Sequence, residues 1–222
     1  MEHGENSLET VIIDQMRIQR RYGYRFVKRG FDILASLMGL ILLSPLFLIV
    51  AIAIKVDDPR GKVFYSQIRL GRGERPFKMF KFRSMVSNAD KLMVQLTEEN
   101  EVSGAMFKMR EDPRVTRVGR IIRKYSIDEL PQLINVVIGS MSLVGPRPPL
   151  PQEVSEYTEY DKQRLLIKPG CTGLWQATVR NGVGFDEMVR LDLIYVKRQS
   201  SLYDLWILLL TVKIILKPNN AY

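Results

Sequence analysis

Residues 33–54 form an apolar run without a charged side chain, and this run constrains the chain more than any other feature. About 20 apolar residues are enough to cross the hydrocarbon core of a bilayer. Ser44 and Pro45 interrupt the run near its middle, and proline removes a backbone donor that a neighbouring group must compensate for. The run therefore predicts a membrane segment with a break at Ser44-Pro45.

Basic residues flank the run on both sides. Those before it are Arg17, Arg20, Arg21, Arg25, Lys28 and Arg29, and those after it are Lys55, Arg60, Lys62, Arg69 and Arg72. A helix that crosses a bilayer normally leaves one flank poorer in Lys and Arg, because cytoplasmic segments collect these residues. Two basic flanks predict that both ends stay on one face of the membrane, so that the segment enters and turns back.

The charge balance indicates an anionic partner. The chain of 222 residues carries 33 Lys and Arg against 24 Asp and Glu, a formal net charge of +9. Nucleic acid, acidic lipid headgroups and phosphorylated small molecules all fit this sign. The apolar run favours lipids and phosphorylated substrates, and the aromatic residues are not interleaved with the basic ones as in a base-stacking surface. We therefore expect no nucleic-acid partner.

The near absence of cysteine and histidine narrows the chemistry. Cys171 is the single cysteine and His3 the single histidine. Ser-His-Asp and Cys-His nucleophiles and histidine-bound zinc all lack their parts. If the chain is an enzyme, its nucleophile and acid–base groups are expected to be carboxylates, with Lys or Tyr as other candidates. A metal would be a hard, oxygen-bound cation such as Mg²⁺.

The residue pattern predicts an α+β fold that is mostly helical. Short strands are expected at 63–67 and 77–82, helices at 88–101, 114–124, 126–137, 152–166 and 186–216, and long loops at 139–151 and 168–176. The last helix either lies along the membrane interface or packs as an ordinary core helix. We expect four divisions of the chain. A polar and basic lead-in covers 1–26, and a re-entrant membrane helix covers 27–56. A small irregular α/β domain with interfacial amphipathic helices follows at 57–216 on the cytoplasmic side, and residues 217–222 form a tail.

Two adjacent carboxylates, Asp128 and Glu129, are the strongest candidates for chemistry. Read alone, residues 126–129 match a capping box, in which Ser caps a helix and Glu bonds back from the third position. Clustered cations alter this interpretation: they are Arg110, Arg114, Arg117, Arg120, Arg123 and Lys124 before the pair and Arg147 after it. A helix N-terminus among cations is an anion site, and the cations would keep Asp128 ionised. The pair is then ready to attack phosphorus or to hold Mg²⁺, and a purely structural cap is the alternative.

Two further segments present cations. The loop at 139–149 is rich in Pro and Gly, and its prolines hold Arg147 ready for a bidentate phosphate contact. A structural turn whose Arg caps a helix is the other interpretation of this loop. Residues 79–85 alternate apolar and cationic side chains, which places Lys81 and Arg83 on one face of a strand. A solvated edge strand is the alternative there.

Taken in order, these segments resemble the bacterial sugar transferase family, the monotopic polyprenyl-phosphate phosphoglycosyl transferases. The likeness covers about residues 25–216, and single motifs are weak while the ordered set is specific. The matching stretches are 28–32 (KRGFD), the apolar run broken at Ser44-Pro45, 77–85 (FKMFKFRSM), 114–120 (RVTRVGR), 126–132 (SIDELPQ), 142–148 (SLVGPRP) and 168–176 (KPGCTGLWQ).

The resemblance implies transfer of a sugar-1-phosphate from a UDP-sugar to polyprenyl (undecaprenyl) phosphate, with release of UMP. The reaction would start exopolysaccharide, O-antigen, capsule or glycoprotein glycan synthesis at the cytoplasmic face of the bacterial inner membrane. The resemblance also implies Mg²⁺ as cofactor and a ping-pong course through a covalent aspartyl-phosphosugar intermediate. Anionic lipid headgroups are expected partners, whereas the identity of the sugar and a homodimeric state are left open.

Carried over residue by residue, the resemblance makes Asp128 the nucleophile. It gives Glu129 one of two roles, binding Mg²⁺ together with Asp128 or assisting proton movement. The residues expected to bind the substrate are Arg147, Lys81, Arg83, Arg123 and Arg180, and those expected to anchor the membrane helix are Lys28, Arg29 and Asp32. Two positions depart from the family pattern: Cys171 stands where an aliphatic residue is usual, and Val179 replaces the Gly that usually precedes Arg180. A membrane-tethered scaffold without catalysis is the second hypothesis, but it leaves Asp128-Glu129 beside Arg147 unexplained.

Overall fold

Helices make up most of the structure, a computed structural model that describes residues 11–89, 92, 112–179 and 183–216. The α-helices are α1 (Gln15–Gln19), α2 (Tyr22–Leu42), α3 (Ser44–Asp57), α4 (Arg117–Lys124), α5 (Gln132–Ile138), α6 (Pro151–Ser155), α7 (Glu159–Lys162), α8 (Leu174–Thr178), α9 (Phe185–Arg198) and α10 (Ser201–Leu216). The strands are β1 (Phe64–Leu70), β2 (Pro76–Phe82), β3 (Ser142–Val144) and β4 (Gly170–Thr172). This content confirms the mostly helical α+β class.

Helices α2 and α3 meet at the predicted break. Their axes are bent by 59°, Leu43 separates them, and Pro45 lies in the first turn of α3. The hydroxyl of Ser44 donates to the carbonyl of Ile41 at 2.8 Å, which satisfies one carbonyl at the end of α2. In the described part of the chain no single helix has the length and apolarity to cross a bilayer, whereas α2 and α3 meet that test as a bent pair.

The outer surface of this helix pair is apolar. Its exposed large side chains are Leu34, Leu37, Met38, Ile41 and Leu42 on α2 and Leu48, Ile49, Ile52 and Val56 on α3. The inner side of α2 carries buried polar residues instead, Asp32 and Ser36. A helix with apolar residues outside and polar residues inside reverses the usual pattern of a soluble protein.

Polar contacts fix α2 to the rest of the protein. The carboxylate of Asp32 accepts from the hydroxyl of Ser142 at 2.7 Å and from the backbone N–H of Leu143 at 3.2 Å. Arg29 donates to the carbonyls at positions 136 and 137, near the C-terminal end of α5, and Lys28 pairs with Asp204 of α10 at 2.9 Å. The three residues predicted to anchor the membrane helix thus bind it to three other elements.

Strands β1 and β2 form the predicted hairpin. They pair antiparallel, with Tyr65 opposite Lys81. Strand β1 continues beyond its expected end at 67 to Leu70, and β2 starts one residue early, at Pro76. The turn between them contains Gly73 and Glu74, both with positive φ. The conformation suits the glycine, which has no Cβ to clash.

The second sheet was not predicted. Strands β3 and β4 pair in parallel, within segments 139–151 and 168–176 that were expected to be loops. A Cβ at Gly170 would overlap the backbone of Gly145. The two segments of the chain therefore approach this closely only because both positions are glycine. Strands of three residues carry too little pattern to be recognised from sequence.

Two predicted helices are interrupted. The segment at 152–166 contains α6, α7 and a 3₁₀ turn (Gln163–Leu166), because Thr158 starts a new helix with a capping box to Asp161. The segment at 186–216 contains α9 and α10, because Gln199 leaves the helical conformation and the hydroxyl of Ser200 accepts from the N–H of Tyr203 in the next helix. The helix expected at 88–101 lies largely outside the described residues.

The main core lies where α5, β3, α9 and α10 meet. Val136, Met141, Tyr195 and Ile207 are fully buried there. Asn135 connects this core to β2: its amide donates to the carbonyl of Lys78 at 2.7 Å and accepts from the N–H of Phe80 at 2.9 Å. One buried side chain therefore holds the strand on which Lys81 lies.

Replacing Asn135 by Ala is expected to lower the free energy of unfolding by about 2–4 kcal/mol, because it leaves buried backbone groups of β2 unpaired and opens a small cavity. Thermal melting of the purified protein in a neutral detergent measures the change. Ile138→Ala is the matched control, since Ile138 lies on the same helix but is 66% exposed. Equal losses in the two variants would contradict the role given to Asn135.

Candidate active site

The carboxylate pair lies in a tight turn between two helices. Helix α4 ends at Lys124, Ser126 takes a left-handed conformation with φ of 55°, and residues 127–129 form one 3₁₀ turn before α5. Ser126 makes no side-chain cap to this turn, so the capping-box interpretation is wrong. A non-glycine residue with positive φ is uncommon and costs conformational energy, and here it reverses the chain ahead of Asp128.

Lys81 on β2 contacts the second carboxylate. Its ammonium donates to Glu129 Oε1 at 2.6 Å, and the side chain of Glu129 is 38% exposed. Asp128, by contrast, is 7% exposed. The structure thus brings Lys81, which was expected to bind the substrate, against the carboxylate pair, of which Asp128 is buried and Glu129 partly open to solvent.

Burial dominates the titration of Asp128. It raises the pKa of this carboxyl to about 6, the negative charge of Glu129 adds to the effect, and Lys81 and Arg123 oppose it. The surrounding cations were expected to keep Asp128 ionised. They do favour the ionised form, but desolvation of the charge outweighs their attraction and raises the pKa. At neutral pH the group is still mostly ionised, but it is more basic than an ordinary aspartate.

Glu129 is affected in the opposite direction. Burial alone would raise its pKa, but Lys81 first, and then Arg147 and Arg69, hold the pKa below its usual value. The two neighbouring carboxylates therefore have different pKa values, and groups with different pKa values suit different chemical roles. The more basic Asp128 suits a nucleophile, and the ionised Glu129 suits a cation ligand.

The loop after β3 holds Arg147 beside this pair. Its backbone is fixed on both sides: Gly170 donates to the carbonyl of Pro146 at 2.9 Å, and Arg69 donates to the carbonyl of Pro148 at 3.1 Å. The buried Arg164, which pairs with Asp192, donates to the carbonyl of Arg147 at 3.3 Å. Arg147 itself is half-buried.

Arg69 also belongs to the site, since its charge acts on Glu129, although from the sequence it was expected only as one of the basic residues that flank the apolar run. Burial lowers its pKa to about 10, and the like charge of Arg147 lowers it further. The period of two along a strand could have revealed this position. Arg69, Gln67 and Tyr65 lie on the same face of β1, and Tyr65 is directly opposite Lys81.

The other predicted substrate ligands lie in different places. Arg123 acts on Asp128 through its charge and donates to the hydroxyl of Ser84 at 3.0 Å. Arg83 is instead bound to Asp58 and to the carbonyl of Lys62, at the end of α3. Strand β2 stops at Phe82, so the alternation does not carry Arg83 to the site with Lys81. Arg180 lies outside the described residues.

The donor set limits the kind of metal that fits. Within the described ranges no group of three or more His, Cys, Asp and Glu side chains is placed to hold a metal ion. Asp128 and Glu129 offer two carboxylates that repel each other. Two carboxylates fit a hard cation such as Mg²⁺, because Mg²⁺ keeps several water ligands and takes phosphate oxygens of a substrate as the remaining ligands.

Comparisons with known proteins give one consistent match. The family described as "Bacterial sugar transferase" matches residues 23–218. Galactosyl transferase CpsE of Streptococcus agalactiae is 42% identical over 98% of this chain and 49% of its own length. Undecaprenyl-phosphate galactose phosphotransferase of Salmonella typhimurium is 44% identical over 89% of this chain and 42% of its own.

A shorter relative is matched over most of its length. Exopolysaccharide production protein ExoY of Sinorhizobium fredii is 40% identical over 88% of this chain and 88% of its own. By contrast, the chain spans about half the length of CpsE and of the Salmonella protein.

Asp128→Asn is expected to stabilise the metal-free protein above pH 6. The folded state holds the pKa of Asp128 at about 6 against 3.8 for a free side chain, so wild-type stability falls as the pH rises through this interval. The difference corresponds to about 3 kcal/mol, and a neutral amide avoids the loss. Melting curves on both sides of the interval measure it, with the exposed Asp186→Asn as control. A gain that is the same below pH 3.8 would indicate a packing effect instead.

Proposed function

Because the chain belongs to the bacterial sugar transferase family, we propose that it transfers a sugar-1-phosphate from a UDP-sugar to undecaprenyl phosphate and releases UMP. The Salmonella relative is named for this acceptor and for galactose, and ExoY for exopolysaccharide production. The product, an undecaprenyl-diphospho-sugar, would be the first lipid-linked intermediate of a surface polysaccharide. The carboxylate pair is the observation that supports the proposal most directly. Asp128 is buried and has a raised pKa, whereas Glu129 beside it is ionised, and the charges of Lys81, Arg123, Arg147 and Arg69 act on the pair.

The first half-reaction begins at Asp128. Its carboxylate oxygen attacks the phosphorus that bears the sugar, the bond from this phosphorus to the UMP oxygen breaks, and UMP leaves with the electron pair. A diphosphate resists an incoming anion because its oxygens are negative, so the positive charges of Lys81, Arg147 and Arg69 lower this barrier. The chain is left with an aspartyl-phosphosugar, a form of intermediate that carboxylate nucleophiles are known to make.

The second half-reaction restores the carboxylate. An oxygen of the acceptor phosphate attacks the same phosphorus, and the bond to Asp128 breaks with its electron pair returning to the carboxylate. A half-buried Arg147 on a fixed loop suits both steps, because it can hold phosphoryl oxygens without moving. The same phosphorus thus reacts twice at one side chain.

Glu129 has a supporting role in both steps. Its low pKa keeps it anionic beside Lys81, so that together with Asp128 it can take up a divalent cation. Mg²⁺, when bound there, would neutralise charge on the diphosphate and on the departing UMP. The cation ligands of the protein would then be Glu129 and Asp128, and Lys81 would keep Glu129 oriented.

Asp128→Asn is expected to abolish UMP release, because an amide cannot form the phosphoryl ester. For the wild type, kcat/KM should fall about tenfold for each pH unit below the pKa of the free nucleophile, which is about 6. The measurement is UMP release from a panel of UDP-sugars with undecaprenyl phosphate and Mg²⁺, and the donor that reacts identifies the sugar.

The control for this assay is Asp186→Asn, an exposed carboxylate in the first turn of α9, which should retain wild-type rates. Near-native UMP release by Asp128→Asn would show that the nucleophile is another group. Release by no UDP-sugar with the wild type would favour a non-catalytic scaffold.

The bent helix pair supports a placement in the membrane. We place the exposed apolar sides of α2 and α3 in the inner leaflet of the bacterial cytoplasmic membrane, with both ends on the cytoplasmic face. The exposed apolar residues of α10, among them Leu205, Trp206 and Leu209, would lie along the same interface. This placement puts Asp128 on the side of the membrane where nucleotide sugars are found.

Cysteine labelling in spheroplasts tests this topology. Gly23→Cys puts a thiol in the first turn of α2 and Arg60→Cys puts one just after α3, both at exposed positions. Neither should react with a membrane-impermeant maleimide until the cells are lysed, because both ends are expected inside. The wild type, whose single thiol at Cys171 packs against the core, gives the background. Labelling of either variant in intact spheroplasts would exclude the re-entrant arrangement.

A further inference from the structure

A second group of basic side chains gathers near the N-terminal half of α2 and shares no residue with the carboxylate site. Its members come from three parts of the chain and lie close enough for their charges to act on one another: Arg25 and Arg29 on α2, Arg72 and Arg75 at the hairpin turn, and Lys168 before β4. We call it the basic cluster. A Cβ added at Gly139 would lie 3.1 Å from Arg29 Nη2 and 3.6 Å from Lys168 Nζ, so two of its cations face each other across a glycine.

The electrostatics of the basic cluster show like charges acting on one another. Burial lowers the pKa of Lys168, and Arg29, Arg72 and Arg25 lower it further, against one opposing carboxylate, Asp32. Burial likewise lowers the pKa of Arg72, with Arg25 and Arg75 adding to the effect.

The nearby acid compensates for only part of these charges, since the pKa of Lys168 stays lowered despite Asp32. Asp32 is buried and already accepts hydrogen bonds from Ser142 and Leu143. Among the ion pairs between described residues, none contains Arg72 or Lys168. A half-buried lysine surrounded by arginines, with its one acid engaged elsewhere, is a site whose repulsion an anion would relieve.

The position of the basic cluster selects the kind of anion. Arg29 lies four residues before the apolar run that starts at Ile33, which is about 6 Å along a helix axis. Arg25 lies one turn further out. The polar headgroup region adds about 5–8 Å on each side of the hydrocarbon core. If the helix pair sits in the membrane as proposed above, the basic cluster is at the height of lipid phosphates.

We propose that the basic cluster binds the phosphate group of a membrane lipid, with Arg25, Arg72 and Lys168 as its ligands. Arg29 forms the base of the site, since its guanidinium also donates to the carbonyls at 136 and 137. The lipid is either an acidic phospholipid or the polyprenyl phosphate acceptor before it reaches Asp128. Both present a phosphate at the surface with a hydrocarbon chain that continues into the bilayer beside α2.

The first experiment measures binding without catalysis. The purified protein in neutral detergent is titrated with dihexanoyl phosphatidylglycerol, with dihexanoyl phosphatidylcholine and with inorganic phosphate. Wild type should prefer the anionic lipid, and the double variant R72Q/K168Q should bind it about 10- to 30-fold more weakly, since each basic residue at an anionic surface contributes about fivefold. Inorganic phosphate competing as well as the lipid would mean that the site takes free phosphate, and would overturn the lipid assignment.

The second experiment uses the acceptor. In nanodiscs of neutral lipid, R72Q/K168Q should show about a tenfold higher KM for undecaprenyl phosphate with an unchanged KM for the UDP-sugar if the acceptor is the natural ligand. If the ligand is a phospholipid, acceptor kinetics of the variant in neutral nanodiscs should match wild type, and adding phosphatidylglycerol to the nanodiscs should stimulate the wild type but not the variant.

Two matched variants accompany both experiments. K197Q/R198Q removes the same two charges from exposed positions at the end of α9 and should bind like the wild type. R72K/K168R retains the charges and should recover most of the binding. If R72Q/K168Q equals K197Q/R198Q in both experiments, the proposal is overturned. Because the first experiment needs no turnover, absence of transferase activity in the wild type would disprove the proposed function without affecting this result.

Discussion

The buried carboxylate of Asp32 is the interaction on which the rest of the structure depends. It joins α2, whose outer surface is apolar, to Ser142 and Leu143 at the start of the strand that leads to Arg147. A carboxylate buried on a helix with an apolar exterior is costly unless fully hydrogen-bonded, and here its partners lie on the segment that carries a site cation. The same helix turn holds α5 through Arg29. The position of the membrane-type helix and the geometry of the site are therefore set together.

The carboxylate pair shows how neighbouring positions acquire different properties. Asp128 and Glu129 are adjacent in sequence, yet one is buried and the other faces Lys81 and the arginines. Both side chains belong to the 3₁₀ turn that follows the left-handed Ser126, but Asp128 is buried, whereas Glu129 is partly exposed and bonded to Lys81. Neighbouring carboxylates with different pKa values suit different chemical roles, here a nucleophile and a cation ligand.

Much of this arrangement could be predicted from sequence where the signal was long or chemically distinctive. The uncharged run and the Ser44-Pro45 break indicated a bent helix pair, and the alternation around Lys81 indicated the hairpin. The parallel pair of β3 and β4 could not be predicted, because it depends on a close approach of Gly145 and Gly170 that only the fold brings about. The raised pKa of Asp128 could not be predicted for a related reason: nearby cations are visible in a sequence, whereas burial is not.

The bend between α2 and α3 has a consequence for the bilayer itself. From Ile33 to the break the helix rises about 15 Å, half of a hydrocarbon core of about 30 Å. In the proposed orientation the pair would add cross-sectional area to the inner leaflet and none to the outer one. Such a one-sided wedge changes the lateral pressure between lipid tails in its leaflet, so membranes of different curvature or tail composition would accept the protein to different extents.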